Sequence, residues 1–429
     1  MSDTILIITS SGGGGLLQSA IAIEQEEKKK DPDVKIIKKD FLKDWGGPLG
    51  GFGVRAYNWT QRSGNVFLTN VLVACNMVAE YFFYPVAMAC ILSTLFKNKI
   101  NRVIDNQVMN TSCIIQSIRI YNRITKKKIV LEKVLVDLPT KEYRKILKSI
   151  KSLSKINKKH IRIFTVEPLL EEEQDNKEFW QKYCKISEEQ ITYKKYIIRN
   201  SFKQFQHKPK CAESFDLRTV FSSDEEKKAI EKCFKRGFLA KNFKVNKNFF
   251  IFSIKPEDKV FVILLGTQPS SEAVCKYIKG FIEKVKHDSD KKCNYNLFVF
   301  ADRFSLEQEC MFSKICNLVS GITDYPNNLS VIPMSFQKDD VLAPLFYRGD
   351  LTITRSGGHT IMELMAVSRG CNWIHSEARA SLGSKALYED LLNGIPCWEK
   401  GNARYLHEKF KGEVVTPEIL YDKLSLIFN

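Results

Sequence analysis

Two Rossmann-like α/β domains facing a cleft are the fold that this sequence predicts, and three stretches predict it. The chain opens with a strand, Thr4 to Thr9, that empties into Ser10-Ser11-Gly12-Gly13-Gly14-Gly15 and then an amphipathic helix from Leu16 to about Glu27. Val260 to Leu265 reads as a buried strand ending in Gly266-Thr267-Gln268-Pro269-Ser270-Ser271-Glu272-Ala273, a polar turn that opens a helix. Leu351 to Thr354 is a β-branched strand followed by a tight turn, Ser356 to Gly358, and a helix from Thr360 onward with Ile361, Leu364, Met365 and Ser368 at helical spacing. A chain of 429 residues is long for one domain and sufficient for two, each with its own core.

In order along the first half, a second strand is expected at Val34 to Ile37 and a glycine-rich loop at Trp45 to Gly53. Val66 to Phe96 is the most apolar stretch; Glu80 and Pro85 interrupt it, and neither uncharged half reaches the roughly 20 residues of a span. Two helices are expected there, packed in the domain or lying at a bilayer surface, with Arg55, Arg62, Lys97, Lys99 and Arg102 as flanking anchors. Arg102 to Ile104 and Ile129 to Val136 read as parallel strands separated by a helix at Thr111 to Ile124. Asp137 follows the second of these strands, at the sheet edge where open α/β sheets bind ligands. Lys141 to His160 reads as a basic amphipathic helix, with Tyr143, Leu147, Ile150 and Leu153 opposite Arg144, Lys145, Lys148, Lys151 and Lys155. A strand follows from Ile161, then an acidic run at Glu171 to Asp175 and a further strand near Tyr196.

Residues 1–205 are therefore read as the N-terminal domain, 206–250 as a linker region and 251–429 as the C-terminal domain, whose last helix can pack back on the first domain. In the C-terminal half, Leu297 to Phe300 and Leu329 to Ile332 are further strands, and Val341 to Tyr347 is a short helix.

The strand, glycine turn and helix start at residues 351–364 have a chemical consequence. Glycines let backbone approach a ligand, and first-turn N–H groups lack intrahelical partners and carry the positive end of the helix dipole. A phosphate or diphosphate suits such a turn, and Glu363, one turn into the helix, could accept hydrogen bonds from ribose hydroxyls of the same nucleotide. An ordinary amphipathic helix after a glycine cap is the competing reading.

Other classes find less support. The net charge of +17 favours phosphates, nucleic acid or anionic membrane, but the basic residues are spread widely and no nucleic-acid motif is present. The first glycine loop lacks the third glycine of a dinucleotide fingerprint, where Gln18 stands, and lacks the Gly-Lys-Ser/Thr ending of a P-loop. The 12 cysteines form no Cys-x-x-Cys and the six histidines no His-x-x-x-His, which argues for a reduced, intracellular protein without structural zinc. No cleavable signal peptide is visible. Asp288-Ser289-Asp290 could bind a metal diphosphate, but it lies in a lysine-rich turn after a helix, not at a strand end.

Taken together, Gly266 to Ala273, Ile332-Pro333, Asp350-Leu351, Arg355-Ser356-Gly357-Gly358-His359-Thr360 and Glu363-Leu364 resemble the donor-binding domain of inverting GT-B glycosyltransferases. The similarity is to the lipid-glycosylating family that contains monogalactosyldiacylglycerol synthase, bacterial diacylglycerol glucosyltransferases and the lipid II glycosyltransferase. Ile395 to Tyr405 resembles that family's Ile-Pro-Gly-Gln-Glu-x-Gly-Asn segment, Ser10 to Gly15 its first loop, and Val136-Asp137-Leu138 its Thr-Asp-Leu strand end. The motifs follow the family's order across most of the chain.

The resemblance implies a GT-B fold and transfer of a hexose or N-acetylhexosamine from a nucleoside-diphosphate sugar, with uridine the family's usual base, to an acceptor hydroxyl without a metal. Glu363 would bind ribose. Backbone groups at Thr267, Gln268, Gly357, Gly358 and His359 would hold the diphosphate, with Arg355, Ser356, Thr360, Gly14 and Gly15 completing the nucleotide-sugar site. Glu399 and Asn402 would contact the sugar, and the acceptor, a lipid or another hydroxyl compound, would enter over Gly12 to Gly15. No cofactor beyond the nucleotide sugar is implied. The expected location is cytoplasmic and peripheral on membrane, through 66–96 and 141–160.

Family members end the first glycine loop with a histidine, where this chain has Gly15-Leu16, so the catalytic base falls first to Asp137 and then to Asp105. Trp398 replaces the family glutamine, and Ala378 to Asn393 is an insert. A catalytically degenerate binder or scaffold, and a nucleotide-sugar epimerase of the same fold, stay open as alternatives.

Overall fold

The computed structural model describes residues 3–234, 243–266, 270–287, 293–302, 304–305, 310–378 and 387–428. Thr267, Gln268, the Asp288-Ser289-Asp290 triplet and part of the 378–393 insert lie outside the described residues.

In the N-terminal half, β1 (Thr4–Thr9), β2 (Lys35–Asp40), β3 (Arg102–Asp105), β4 (Leu131–Val134), β5 (Ile161–Thr165) and β6 (Ile191–Tyr193) form one parallel sheet in the order β2-β1-β3-β4-β5-β6. β7 (Phe215–Val220), β8 (Phe243–Val245) and β9 (Phe249–Ile254) make a small antiparallel sheet. In the C-terminal half, β10 (Lys259–Leu264), β11 (Tyr295–Phe300), β12 (Leu329–Met334), β13 (Leu351–Thr354), β14 (Cys371–His375) and β15 (Glu413–Val415) form a second parallel sheet, β12-β11-β10-β13-β14-β15.

The order of each sheet reverses once among its central strands, between β1 and β3 and between β10 and β13. Ligands of open α/β sheets bind outside the strand ends at such reversals. The Ser10–Gly13 loop follows β1, Gly266 follows β10 and the Arg355–Gly358 turn follows β13, so each glycine turn read in the sequence stands at a reversal point. Four of the five residues from Ile5 to Thr9 are aliphatic, and all five are buried, as a strand covered on both faces requires.

The N-terminal sheet carries helix α1 (Gly14–Lys30), α2 (Gly47–Arg62), α3 (Val66–Lys97) and α4 (Thr111–Thr125). Two expectations are corrected here. Trp45 to Gly53 is not a loop: Phe41–Trp45 forms a π-helical turn and α2 starts at Gly47. The glycines serve close packing, because a Cβ at Gly46 or Gly50 would come within 2.5 Å or 2.0 Å of the Leu42 carbonyl oxygen. Val66 to Phe96 is one helix, not two, and Pro85 lies inside it. Ala87, Ile91 and Leu95, spaced by one helical turn, bury the end of α3 in the N-terminal core, whereas Phe67 and Phe82 are 72% and 80% exposed. Among the described residues no helix is long and apolar enough to cross a membrane.

The basic helix expected at Lys141 to His160 is broken into a 3-10 turn at Lys141–Tyr143, a helix at Arg144–Lys151 and a single turn at Lys155–Lys158. The Ser154 side chain caps the last of these by accepting from Asn157 N–H. The face division holds: Arg144, Lys145, Lys148, Lys151 and Lys155 are exposed, and Tyr143, Leu147, Ile150 and Leu153 are buried.

Residues 206–250 contain β7, a helix at Asp224–Phe234, β8 and the start of β9. Leu217, Ile230 and Phe250 belong to the C-terminal core, so this stretch contributes to that domain's packing. In the final helix, Leu420–Phe428, Leu420 and Leu424 are fully buried in the same core, against the Ser271–His287 helix.

Candidate functional site

The loop after β4 enters the opposite domain. Val136 and Leu138 are buried in the C-terminal core, so Asp137 between them is carried to the start of the Gly358–Val367 helix. Glycine is required at 358, because a Cβ there would lie 2.2 Å from the Val136 carbonyl oxygen and 2.7 Å from Asp137 Oδ1. Asn402 spans the same seam. Its Nδ2 donates to Asp137 Oδ1 (2.8 Å) and to the Ser356 carbonyl (2.7 Å), and its Oδ1 accepts from Leu138 N–H (2.7 Å). Burial pushes the Asp137 carboxyl up, and the nearby Glu399 adds to this. The Asn402 amide and the Gly358 N–H offset part of the rise, leaving Asp137 at about 7.

Asp105, the other candidate base, sits in a different environment. It is buried at the end of β3, with Lys133 Nζ 2.7 Å from Oδ2 and Gln107 N–H donating to Oδ1. Both of its oxygens therefore serve structure. Burial raises its carboxyl and Lys133 works against that rise.

Glu363 is held from across the molecule. Arg199 grips it with both arms, Nε to Oε1 and Nη2 to Oε2, each at 2.7 Å, and its third nitrogen donates to Gln18 on α1 at 3.0 Å. Burial opposes ionisation, but His359 and Arg199 outweigh it and hold the Glu363 carboxyl at about 2. His359 is 1% exposed and stands beside the glycine loop, 3.8 Å from where a Cβ of Gly15 would be. Its Nε2 lies 3.0 Å from Glu363 Oε1, with neither ring nitrogen in hydrogen-bond geometry.

Arg355 projects from the end of β13 into the cleft, where its Nη2 donates to the Gln61 carbonyl and to Glu377 Oε1, both at 2.9 Å. Ser356 Oγ donates to Glu399 Oε2 at 3.1 Å. Burial raises the Glu399 carboxyl against the pull of Arg355 and of hydrogen bonds from Ser356 and Trp398. Thr360 lies in the first turn of the Gly358–Val367 helix.

The structure thus brings Gly15, Arg355, Ser356, Gly358, His359, Glu363, Glu399, Asn402 and Asp137 to one seam, with Gly14 and Gly357 beside them and Asp105 apart. It adds Tyr57, Arg199, His375 and Glu377. Tyr57, buried beside Gly13, accepts from Gln61 at 2.9 Å; burial, then Glu399 and Asp137, keep its phenol protonated. No local pattern marks these four, although a polar residue at the end of a buried strand, as His375 is, offers a faint signal. The space between α2, α3 and the ends of β13 and β14 amounts to about 20 Å³, room for one water. Among the described residues no three His, Cys, Asp or Glu side chains converge on a metal position.

Two Rossmann-like domains whose sheet reversals meet at a polar seam constitute the GT-B fold. No family model and no curated protein matches the sequence. Among solved structures the chain is similar to MurG from Acinetobacter baumannii, at 11% identity and a TM-score of 0.47 over 100% of this chain and 91% of that one. It is also similar to the spinosyn rhamnosyltransferase SpnG complexed with thymidine diphosphate (9%, 0.44, 99% and 91%) and to the UDP-GlcNAc 2-epimerase of Methanocaldococcus jannaschii (12%, 0.44, 100% and 93%). These are likenesses of fold at a distance, and the fold assignment rests on the sheet order itself.

Proposed function

We propose that the chain is a glycosyltransferase that moves a hexose or N-acetylhexosamine from a nucleoside-diphosphate sugar, with uridine as the expected base, to an acceptor hydroxyl, with inversion and without a metal. The observation that carries this reading is Asp137. A carboxyl held near 7 at the helix start that would receive a diphosphate has the proton affinity a general base needs at neutral pH. The N–H groups of the Gly358–Val367 helix and the Arg355 guanidinium are donors for the charge that develops on the departing diphosphate. Asp105 is the weaker candidate, since taking up a proton would neutralise it and leave the buried Lys133 ammonium without its partner.

The gap beneath α2 and α3 has room for one water, so a sugar would enter it only if these helices shift. Ribose recognition by Glu363 would use the lone pairs that the two Arg199 bonds leave on its oxygens. That same ion pair favours the second reading, a scaffold whose cleft stays shut. The exposed aromatic residues of α2 and α3 suit a lipid acceptor presented at a membrane surface.

Calorimetric titration with uridine, guanosine and thymidine diphosphates, followed by assay of sugar release and of epimerisation from the matching sugar nucleotides, tests the proposal. Selective binding of one diphosphate with release of its sugar is expected. Asp137→Asn should then abolish turnover while retaining donor affinity, and the wild-type rate should rise with pH through about 7 as the base ionises. Absence of binding by folded protein would leave the scaffold reading; an epimerised product without transfer would leave the epimerase.

A further inference from the structure

A buried polar chain continues from the proposed site into the C-terminal domain. The Tyr277 hydroxyl is hydrogen-bonded to His375 Nδ1 at 2.8 Å and lies 3.3 Å from the Val415 carbonyl oxygen. His375 Nε2 stands 3.1 Å from Glu377 Oε1 without hydrogen-bond geometry, and Glu377 receives Arg355 at 2.9 Å. His375 closes β14, so its ring is fixed by the sheet on one side and by Tyr277 on the other. Both His375 and Glu377 line the gap beneath α2 and α3, together with Arg355, Ser356 and Glu399.

Packing has been shaped to keep this carboxylate in place. Gly64, between α2 and α3, has a φ of +65°, and a Cβ there would come within 2.8 Å of Glu377 Oε2. Burial disfavours the charge on Glu377, yet His375 and Arg355 outweigh it and hold the carboxyl at about 2, so it is an acceptor at any physiological pH. Glu399, on the other side of Arg355, has its carboxyl raised by burial. The gap is thus walled by an ionised carboxylate, an imidazole nitrogen with no hydrogen bond, a hydroxyl and a second carboxyl. Such a set suits a neutral, hydroxyl-rich group, since carboxylate and imidazole can bridge neighbouring hydroxyls beside the Arg355 guanidinium.

We propose that Glu377 and His375 recognise the sugar of the donor and set which sugar is accepted, a role that rests on the glycosyltransferase reading above. α2 and α3 roof this subsite. They are tied to the C-terminal domain by, among other contacts, the Arg355 bond to the Gln61 carbonyl, the bond from Cys397 N–H to Asn70 Oδ1, and the seat of Gly64 on Glu377.

The test separates sugar from nucleotide. Wild type, Glu377→Gln and His375→Ala are titrated with uridine, thymidine and guanosine diphosphates, then with the glucose, galactose and N-acetylglucosamine conjugates of the one that binds. Both variants should lose affinity for the preferred conjugate by roughly 10- to 100-fold more than for the free diphosphate, the scale of a lost hydrogen bond to a charged group. The loss should differ among the three sugars, and Glu377→Asp should recover part of it. Unchanged affinity for every conjugate, or an equal loss for diphosphate and conjugates, would assign the pair to structure and overturn the inference while the glycosyltransferase reading stands. A wild type that binds none of the diphosphates overturns both.

Discussion

Arg199 and Glu363 lie 164 residues apart, and their contact is a bidentate ion pair buried at the seam. Both side chains are almost fully buried, at 8% and 2% exposure, so removing one leaves the other charged and dry. Arg199→Ala should cost about 3–5 kcal/mol in denaturant unfolding, whereas an Arg199→Met, Glu363→Leu double variant should recover most of that. The pH dependence has a defined sign. Glu363 and Glu377 are held at about 2, below their ordinary values, so they stabilise the fold above pH ~4.5 and lose that contribution as pH falls toward 2. Asp137 acts in the opposite sense. Its folded value of about 7 lies above the ordinary one, so stability declines as pH rises from about 4 toward 7, and Asp137→Asn should flatten that slope in melting curves taken across the range.

At the scale of elements, α2 and α3 are where local patterning and observed structure part most clearly. Five glycines at 46, 47, 50, 51 and 53 read as a loop, but Gly46 and Gly50 let the helix approach the Leu42 carbonyl more closely than any side chain would permit. Gly50→Ala should therefore cost about 1–3 kcal/mol despite the higher helix propensity of alanine, measured as a drop in melting temperature. The outer side of the same pair bears Phe52, Trp59, Phe67 and Phe82, each more than half exposed. If these residues dock on lipid, vesicles containing anionic lipid should sediment wild type but not a Phe67→Glu, Phe82→Glu variant; equal sedimentation would remove this face from the proposal.

For the whole molecule, closure of the two domains is the property to perturb. Gly358 and Gly401 abut Val136 and Thr140 across the seam, with Cβ clearances of 2.2 Å and 2.1 Å that no other residue satisfies. Gly358→Ala should wedge the domains apart. Its expected signature is a larger radius of gyration in solution scattering and loss of sugar transfer, with each domain still folded by circular dichroism. An unchanged radius would mean that the seam yields locally instead.

Much of this protein was written locally. The strand, glycine turn and helix at 4–27, 260–273 and 351–367 follow from alternation, β-branching and glycine placement, which act within a few residues, and they place Gly15, Gly358, His359 and Glu363 without reference to the rest of the chain. Asp137 was legible as a strand-end carboxylate for the same reason. What only the tertiary structure decided is the electrostatic state of each group: that Asp105 is taken by Lys133 while Asp137 is held near 7, that Arg199 closes on Glu363, and that His375 and Glu377 complete a polar wall with Arg355. Proton affinity depends on burial and on charges a few ångströms away, and those neighbours come from positions far apart in sequence, where neither spacing nor composition carries the information.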